Sequence, residues 1–540
     1  MKTAKKNPYN KYFFAFCLVH LLLWTLLPTL IRYNLPLDDL EGFAWGQEWQ
    51  IGYYKHPWLA PWLVAIFGRF GGASGWSLYF LSQLAVIICF WAVWKLAKQL
   101  LSPLSSLFSV LLLEGIYYYN FSSPEFNPNV VLLPLWALTV LYFYQAINTQ
   151  KFTAWIKTGV FLGLAMMGKY YSVYLFLSLL LFLIIKPKAR NSFKFFGIYL
   201  STLIMLAIIL PNIIWLFKHN FITLTYVLER TKNSALWWGH ILNPSKFIAN
   251  QLLAVSLTLI LFLGAKKSNA IIRVCHQLAK LPEKSITFAN LNSVHINMRK
   301  ESPKSISYRQ KSLELMACSN SNKEFIIFMS FAPLTLVLLT SFLTGMQLHS
   351  MYGTPLFSYL GIVLLINRYE INIRRIKPFL IMVGSVILFW VILYISFNPI
   401  GPYITQEDNR GVFPGREISQ SLTVCWQLIT HKPLRYVVGN IWLVGNLVYY
   451  SADHPHAYFL AEPSYNTWVN DETINREGAL FIWEPQDQLY FNTLKTRFPN
   501  LQLLGVQSFI WKTRDKLPPV KIVVGIVPPS GTLANNIAIN

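Results

Sequence analysis

Two adjacent acidic residues, Asp38 and Asp39, are the only aspartates before residue 398. They lie shortly after the first apolar segment, in a region that holds ten glutamates and is otherwise apolar, aromatic, polar or basic. Ionisable side chains are costly at membrane depth and tend to be functional there. We therefore predict that this pair takes part in chemistry. The alternative is that both aspartates only cap the helix that follows, because Asp accepts unpaired backbone N–H groups at a helix start.

Further charged and polar side chains fall at what we take to be the outer ends of membrane spans. They form four clusters along the chain, and His349 joins these clusters from the connection between the ninth and tenth predicted spans. The clusters are Asp38, Asp39 and Glu41 with Tyr54, Lys55 and His56; Glu114 with Glu125, Asn127 and Asn129; Lys169 with Tyr170 and Tyr171; and Lys218 and His219 with Arg230 and Lys232. Each cluster is weak evidence alone, since Lys169 could simply extend to the interface. Lys218 and His219 could merely terminate a helix, where cations are favoured.

Carboxylates and cations on one membrane face suit the transfer of a group from a phosphate-activated lipid. A cation near the phosphate stabilises the charge that develops as the phosphate departs. A carboxylate can take the proton from an acceptor hydroxyl or amine. Because phosphate is itself a good leaving group, the reaction needs no nucleotide, and the sequence contains no GxxxxGK[ST] motif.

The composition is that of a polytopic membrane protein. Of 540 residues, 54% are hydrophobic and only 13% are charged, about half the charged fraction of a soluble domain. Apolar runs long enough to cross a bilayer recur along the chain. We predict an α-helical polytopic fold with about 11 transmembrane helices. They cover residues 13–31, 76–94, 103–120, 130–148, 154–168, 170–185, 196–217, 247–264, 325–344, 350–367 and 379–397.

The distribution of charge predicts the orientation of the chain. The net charge is +23, and with the N-terminus in the cytoplasm most Lys and Arg residues between spans fall in inner loops, as the positive-inside rule requires. These basic residues are scattered rather than gathered on one folded surface, which argues against nucleic-acid binding. The five cysteines are widely spaced, without a CxxC motif, so neither a disulfide framework nor a thiolate metal site is indicated.

Three segments differ from the spans. Residues 32–75 form a first outer connection rich in Trp and Tyr, for which one or two short amphipathic helices at the membrane surface are predicted, the second opened by Pro57. Residues 265–324 form a basic cytoplasmic insertion. Residues 1–397 form the predicted transmembrane domain. Residues 398–540 follow it, and their pattern predicts a small C-terminal extracytoplasmic α/β domain. Its β-rich runs are residues 435–442, 457–462, 478–484, 501–511 and 520–527.

A series of short motifs, in order along the chain, resembles a known family. The motifs include Asp38-Asp39-Leu40-Glu41, Gly52-Tyr53-Tyr54-Lys55-His56-Pro57, Phe126-Asn127-Pro128-Asn129, Lys169-Tyr170, Tyr352-Gly353-Thr354-Pro355-Leu356 and Phe413-Pro414-Gly415-Arg416-Glu417. The chain is similar to membrane glycosyltransferases of the large C-type fold, in the bacterial branch of the dolichyl-phosphate-mannose–protein mannosyltransferase superfamily. That branch includes the lipid A aminoarabinose transferase and the lipopolysaccharide-core galacturonic acid transferases. No single motif is specific, and the resemblance rests on their order.

The resemblance implies a polyprenyl-phosphate-linked sugar donor, an inverting transfer, and an essential acid in the first outer loop. Asp38 falls at that acid and is the expected base or acceptor-orienting carboxylate, with Asp39 as a second candidate. Glu41 falls at an acidic position of the family and is the third expected catalytic residue. His56 stands where aminoarabinose transferases have a lysine before proline, so either His56 or the adjacent Lys55 meets the donor phosphate.

The remaining site assignments follow from the same resemblance and from the clusters. Asn129 stands where many relatives have a second aspartate, so the residues here favour a two-carboxylate or metal-bridged site less than those of the relatives do. We expect no metal and no cofactor; a divalent cation is compatible with the resemblance but is not indicated by the residues. The expected donor-phosphate-binding residues are His56, Lys55, Lys169, His219 and Lys218. The expected substrate-lining residues are Tyr54, Glu114, Asn127, Asn129 and His349.

The expected function is glycosyl transfer to a lipid, glycan or protein acceptor at the outer face of a bacterial inner membrane. The N-terminus is expected in the cytoplasm and the C-terminal domain in the periplasm, with membrane lipid as a further partner and no nucleic acid. A secondary transporter or lipid flippase is the main alternative, although transporters place ionisable residues near the membrane midplane, often within inverted repeats. A non-catalytic membrane scaffold is a third hypothesis.

Overall fold

The computed structural model describes residues 9–231, 237–264, 303–366, 376–405, 409–486, 488–512 and 517–530. Of the predicted cytoplasmic insertion, residues 265–302 lie outside the described residues. The α-helices are α1 (Tyr9–Ile31), α2 (Leu37–Gly46), α3 (Leu59–Gly71), α4 (Trp76–Leu100), α5 (Pro103–Leu111), α6 (Pro128–Thr149), α7 (Phe152–Gly168), α8 (Val173–Ile185), α9 (Pro187–Arg190), α10 (Phe196–Lys218), α11 (Ile222–Thr231), α12 (Gly239–Ala254), α13 (Ser256–Gly264), α14 (Pro303–Thr344), α15 (Leu360–Leu365), α16 (Ile376–Ile395), α17 (Gly401–Thr405), α18 (Gly415–Thr430), α19 (Ile441–Tyr450), α20 (Asp471–Glu477) and α21 (Gln488–Arg497).

Within the described residues, six helices are long and apolar enough to cross a membrane. They are α1, α4, α6, α10, the part of α14 from Asn320 onward, and α16 with its continuation to Ile400. Two further candidates are bent helix pairs: Tyr170–Ile185 with Pro187–Lys194, bent by 98°, and α12 with α13, bent by 44°. The chain is therefore a multi-pass membrane protein with six to eight candidate spans, and the finer count of about 11 stays a prediction.

Three predicted spans are shorter or less regular than the hydropathy pattern indicates. The third is α5 with a 3-10 turn that ends at Gly115, and the fifth is α7. The tenth, at 350–367, is a 3-10 helix, Ser350–Phe357, followed by the short α15. Pro355 has no N–H for a helical hydrogen bond, and Gly353 lies so close to the Gln251 side chain that a Cβ would overlap it. An apolar composition alone does not produce one continuous helix here.

The first outer connection contains two helices, α2 and α3. Pro57 forms an isolated bridge with Gly52 before α3 begins. The residue before α2 is Pro36, and no side-chain hydrogen bond caps the helix there. Asp38 and Asp39 lie instead in the first turn, where the positive end of the helix dipole favours carboxylates. Neither aspartate is therefore the N-cap of α2, and their part in chemistry stays a prediction.

Close packing through glycine fixes the helices around this connection. A Cβ at Gly46 of α2 would overlap the carbonyl of Pro61 in α3, and Gly445 of α19 lies against Leu40. Deeper in the membrane region, α7 and α10 meet where Gly159 lies on the backbone of Ser201. Small residues allow such approach between membrane helices. These contacts hold α2 against α3 and α19, and α7 against α10.

The C-terminal region contains a five-stranded mixed sheet. Its strands are β1 (Tyr436–Gly439), β2 (His456–Phe459), β3 (Ala479–Trp483), β4 (Gln502–Phe509) and β5 (Val520–Val527). The order is β2-β1-β3-β5-β4, with β1 parallel to β2 and β3, and β5 antiparallel to β3 and β4. Every residue of β3 is buried, so this strand lies in the core. The predicted C-terminal α/β region is confirmed, and its boundary at residue 398 stays a prediction.

Candidate active site

The Asp38 side chain is half-buried at the start of α2 and lines a cavity with an empty volume of about 320 Å³. Its backbone N–H donates to the Glu125 carboxylate at 3.2 Å, which joins α2 to the segment before α6. Residues from the first outer connection and from the start of α6 line the cavity. They are Asp38, Glu41, Gly42, Trp45, His56, Ala60, Pro61, Val64, Phe126, Asn127 and Pro128.

The Lys55 ammonium is held close to this cavity by a carboxylate and three aromatic rings. It donates to Glu41 Oε1 at 2.6 Å. It also lies 5.2 Å from the centroid of the Tyr54 ring, 5.6 Å from Trp45 and 5.8 Å from Tyr226. Cations are attracted to the faces of such rings. We refer to Trp45, Tyr54 and Tyr226 as the aromatic cage of Lys55.

A second cation comes from the junction between α7 and α8. Lys169 directly follows α7, and its ammonium donates to Asn129 Oδ1 at 2.6 Å and lies 4.5 Å from the Tyr352 ring centroid. The Asn127 side chain caps α6 by accepting from the backbone N–H of Asn129 at 2.9 Å. The cap thereby fixes Asn129, which accepts the hydrogen bond from Lys169.

The charged groups from these segments influence one another. Burial raises the pKa of Asp38 above its usual range, while Lys55, Lys169 and Arg230 oppose the rise. Burial lowers the pKa of Lys169 to about 7, and Arg230 adds to that effect. The carboxyl pKa is raised and the ammonium pKa is lowered, so both groups can exchange protons closer to neutral pH than in water.

Glu41 and His56 are shifted in the same environment. Burial raises the pKa of Glu41 to about 7, against the opposing charge of Lys55. Burial, with Lys169 and Lys55, lowers the pKa of His56 well below its usual range. His56 is therefore neutral at pH 7 and can act as a hydrogen-bond donor or acceptor rather than as a cation.

Asp39 lies behind Asp38 rather than in the cavity. Its side chain is fully buried. Burial, together with the charges of Glu125 and Asp38, raises the pKa of Asp39 well above its usual range. Glu125 is similarly affected, since burial and Asp38 raise its pKa to about 7. These observations favour Asp38 over Asp39 as the carboxylate that meets a substrate.

Most of the residues predicted from the sequence come together here. Asp38, Glu41, Lys55, His56, Asn127, Asn129 and Lys169 lie in or directly beside the cavity, and Tyr54 belongs to the aromatic cage. His349 is half-buried. Burial lowers the pKa of His349, and the charges of Arg230 and Lys169 lower it further. It therefore lies on the side of the site that Lys169 occupies.

Three predicted residues lie elsewhere. Lys218 and His219 line a second cavity of about 1010 Å³ empty volume, between the ends of α10 and α11 and the loop after β2. Glu114 is fully buried and binds His20 Nδ1 of α1 at 2.7 Å, so the structure does not bring it to the cavity. The sequence positions of these three residues suggested that they belong to the site. The fold places their side chains away from the cavity that Asp38 lines.

Sequence reasoning assigned no role to Arg230 or to Glu125, although both fall in the clusters described above. Arg230 lies near the end of α11, is exposed, and donates to the Tyr226 hydroxyl at 3.0 Å. Only the fold shows that its charge reaches Asp38, Glu41 and His56. Among the described residues, no group of three or more His, Cys, Asp and Glu side chains is arranged to hold a metal ion.

Residues 55–215 match the family model of the dolichyl-phosphate-mannose-protein mannosyltransferases. The resemblance predicted from the sequence is confirmed. The matched segment contains Lys55, His56, Asn129 and Lys169, whereas Asp38 precedes it.

One relative and two solved structures show how far the similarity extends. The lipid A galacturonosyltransferase RgtD of Rhizobium johnstonii is 22% identical over 207 residues, and the match spans 37% of this chain and 41% of that protein. Two structures of ArnT from Cupriavidus metallidurans, one bound to undecaprenyl phosphate and one in the apo state, are 12% identical, with TM-scores of 0.54 and 0.50. Each comparison covers 96% of this chain and 98% of ArnT. The chain therefore has an ArnT-like fold.

Proposed function

We propose that this protein is a glycosyltransferase that moves a sugar from a polyprenyl phosphate to a lipid, glycan or protein acceptor. The proposal rests mainly on one observation: Asp38 lines a cavity beside Glu41, which binds the Lys55 ammonium, and the charges of Lys55, Lys169 and Arg230 act on the Asp38 carboxyl group. These four charges come from three separate segments of the chain, because Asp38 and Lys55 both belong to the first outer connection. The match to the mannosyltransferase family model supports the reaction class, and the ArnT structure bound to undecaprenyl phosphate supports the class of donor.

In the proposed reaction, Asp38 takes the proton from the acceptor hydroxyl, and the acceptor oxygen attacks the anomeric carbon of the sugar. The bond from that carbon to the phosphate oxygen breaks, and its electron pair leaves with the polyprenyl phosphate. Attack opposite to the leaving group inverts the configuration of the anomeric carbon. Lys55, Lys169 and Arg230 stabilise the negative charge on the departing phosphate.

The remaining side chains have supporting roles in this proposal. Glu41 holds the Lys55 ammonium, and Asn129 holds that of Lys169. Neutral His56 donates a hydrogen bond to the phosphate or sugar. The site faces the outside of a bacterial inner membrane, with the N-terminus in the cytoplasm and the domain after residue 397 in the periplasm, as the distribution of Lys and Arg predicts.

The central experiment compares two neighbouring substitutions. We expect Asp38→Asn to lower kcat about 10²- to 10⁴-fold, the range that general-base catalysis contributes. We expect Asp39→Asn to retain at least half of the activity, because a buried carboxyl with a strongly raised pKa is already neutral and Asn has nearly the same shape. Transfer is measured by mass spectrometry of the product, using a panel of polyprenyl-phosphate sugars and envelope glycolipid acceptors.

Retention of near-wild-type turnover by both variants would show that the proposed mechanism is wrong. The same reconstituted vesicles separate the transporter hypothesis, because transport moves labelled lipid or sugar across the bilayer without forming a covalent product. Flux without product would favour a transporter and contradict the proposed function.

A further inference from the structure

The loop between β2 and α20 in the sheet domain contacts the first outer connection beside the site. The Tyr465 ring stacks on the Tyr54 ring, with centroids 4.2 Å apart and planes inclined by 10°. Trp468, three residues later, meets the Tyr53 ring edge-to-face at 6.3 Å. Two consecutive tyrosines of the outer connection are thus each paired with an aromatic ring of the sheet domain.

Tyr54 transmits this contact to the Lys55 cation. Tyr226 and Trp45 both meet the Tyr54 ring edge-to-face, at 5.4 and 5.5 Å. Tyr54 therefore contacts both other rings of the aromatic cage, and Tyr465 covers one of its faces. Removal of the Tyr465 ring would free Tyr54 to tilt, and the surface beneath the ammonium would change.

The loop that carries Tyr465 is held in a fixed shape. The buried Asn466 side chain accepts from the Phe459 N–H at 2.9 Å and donates to the carbonyls of Phe459 and Glu462 at 2.9 and 2.8 Å. Leu460 and Ala461 have φ values of +57° and +51°, a left-handed conformation that costs energy for residues other than glycine. Such backbone persists only where surrounding bonds impose it, so the loop presents Tyr465 at a defined position.

The position of the loop in the sheet is also typical of functional segments. It follows the carboxyl end of β2, which pairs in parallel with β1. Ligand-binding residues of α/β sheets commonly follow the carboxyl ends of parallel strands. Tyr465 also lines the second cavity, together with Tyr226, so its ring lies between that cavity and the cage.

We propose that Tyr465 is a positioning residue of the transferase site. By stacking on Tyr54, it keeps the aromatic cage in the arrangement that fixes the Lys55 ammonium where the donor phosphate departs. This inference rests on the proposed function and adds to it a residue of the sheet domain, which lies beyond the segment matched by the family model. Tyr465 itself does not touch the reacting atoms.

The test separates stacking from the tyrosine hydroxyl and from domain stability. An aromatic pair contributes about 0.5–1.5 kcal/mol, which corresponds to a loss of about two- to tenfold. We expect Tyr465→Ala to lower kcat/KM for the donor toward the upper end of that range and to leave the acceptor KM unchanged. Tyr465→Phe, which keeps the ring, should restore the donor kcat/KM to within about twofold of wild type.

Phe491→Ala is the matched control. It removes a stacked ring of the same domain, paired with Trp483 at 5.7 Å and 20°, at a place that does not contact Tyr54. We expect its donor kcat/KM to stay within about twofold of wild type. If Tyr465→Ala does not fold, Tyr465→Leu tests the same point, because it fills the space without providing a ring face.

A binding measurement completes the experiment. Undecaprenyl phosphate should raise the melting temperature of wild type and Tyr465→Phe more than that of Tyr465→Ala. The inference is overturned if the wild type is active and Tyr465→Ala keeps its donor kcat/KM and ligand-induced shift, or if Phe491→Ala loses as much; the proposed function then stands. If the wild type transfers no sugar from any polyprenyl phosphate, the proposed function fails and the inference fails with it.

Discussion

The Lys169 ammonium is a cation of the site whose charge depends on pH near neutrality. Its pKa is lowered to about 7 by burial and by Arg230, so it loses its proton as the pH rises through neutrality. The pH dependence of kcat/KM reports the free enzyme. We therefore expect kcat/KM for the donor to fall above about pH 7, by up to about tenfold per pH unit, because an uncharged amine no longer attracts the phosphate.

Lys169→Arg should remove this fall, since a guanidinium keeps its charge across the whole range. Lys186→Arg is a suitable control, because Lys186 pairs with Glu324 at 2.8 Å at a site remote from the cavity. A fall above pH 7 of the same size in Lys169→Arg as in wild type would assign the titration to another group. Kinetic profiles between pH 5.5 and 8.5 distinguish these outcomes.

At the residue scale, the sequence was informative where a residue type is rare. Asp38 and Asp39 could be selected as a pair because aspartate is otherwise absent before residue 398. Arg230 could not, because a basic residue near a helix end also suits membrane anchoring. Lys218 and His219 were assigned to the donor phosphate on their place along the chain, but the end of α10 carries them to a second cavity. Distance between charges depends on packing, which residue types alone do not give.

At the scale of elements, α2 positions the proposed base, and its contact with α3 has no room for a larger residue. A Cβ at Gly46 would overlap the backbone carbonyl of Pro61, which cannot move aside as a flexible side chain could. We expect Gly46→Ala to destabilise the protein by about 1–3 kcal/mol, the usual cost of overpacking. Thermal unfolding in detergent measures the stability, and the sugar-transfer assay measures the effect on the site.

Gly384→Ala provides the control for Gly46→Ala. Gly384 lies within α16, and a Cβ there would meet nothing within 4 Å. Since Ala favours helix over Gly, this variant should be neutral or slightly stabilised. Equal loss of stability in the two variants would contradict the packing explanation.

The observed helices and strands agree best with the prediction where one hydrophobic pattern dominates a segment of the sequence. The five strands each fall within or overlap a β-rich run bounded by turn residues, and the long apolar helices coincide with predicted spans. The region 350–367 departed from prediction because Gly353 packs against the Gln251 side chain and Pro355 has no N–H for a helical hydrogen bond. The hydropathy pattern indicates which segments lie in an apolar medium, but it does not indicate whether their backbone forms a regular α-helix.

At the scale of the whole molecule, a bound lipid phosphate should link the separate segments of the site. A ligand that binds only the folded state stabilises it by about 2.7 kcal/mol at a concentration of 100 Kd. We expect undecaprenyl phosphate to raise the melting temperature of the wild type in detergent. Undecaprenol, which lacks the phosphate, should have a clearly smaller effect.

Lys169→Met should lose most of the difference between the two lipids, because a cation that contacts the phosphate is missing. The Lys186→Met variant serves as its control. An equal shift with undecaprenol and undecaprenyl phosphate in the wild type would mean that the site does not recognise the phosphate group.

The helix that carries Asp38 lies between two neighbours of different origin. On one side is α3 of the first outer connection, and on the other is α19 beside the sheet of the C-terminal region, with Gly445 against Leu40. If a thicker or thinner bilayer tilts the spans relative to the sheet, it should shift this helix and displace the proposed base. Acyl-chain length in the surrounding lipid would then change the turnover of the proposed glycosyltransferase without changing the reacting groups.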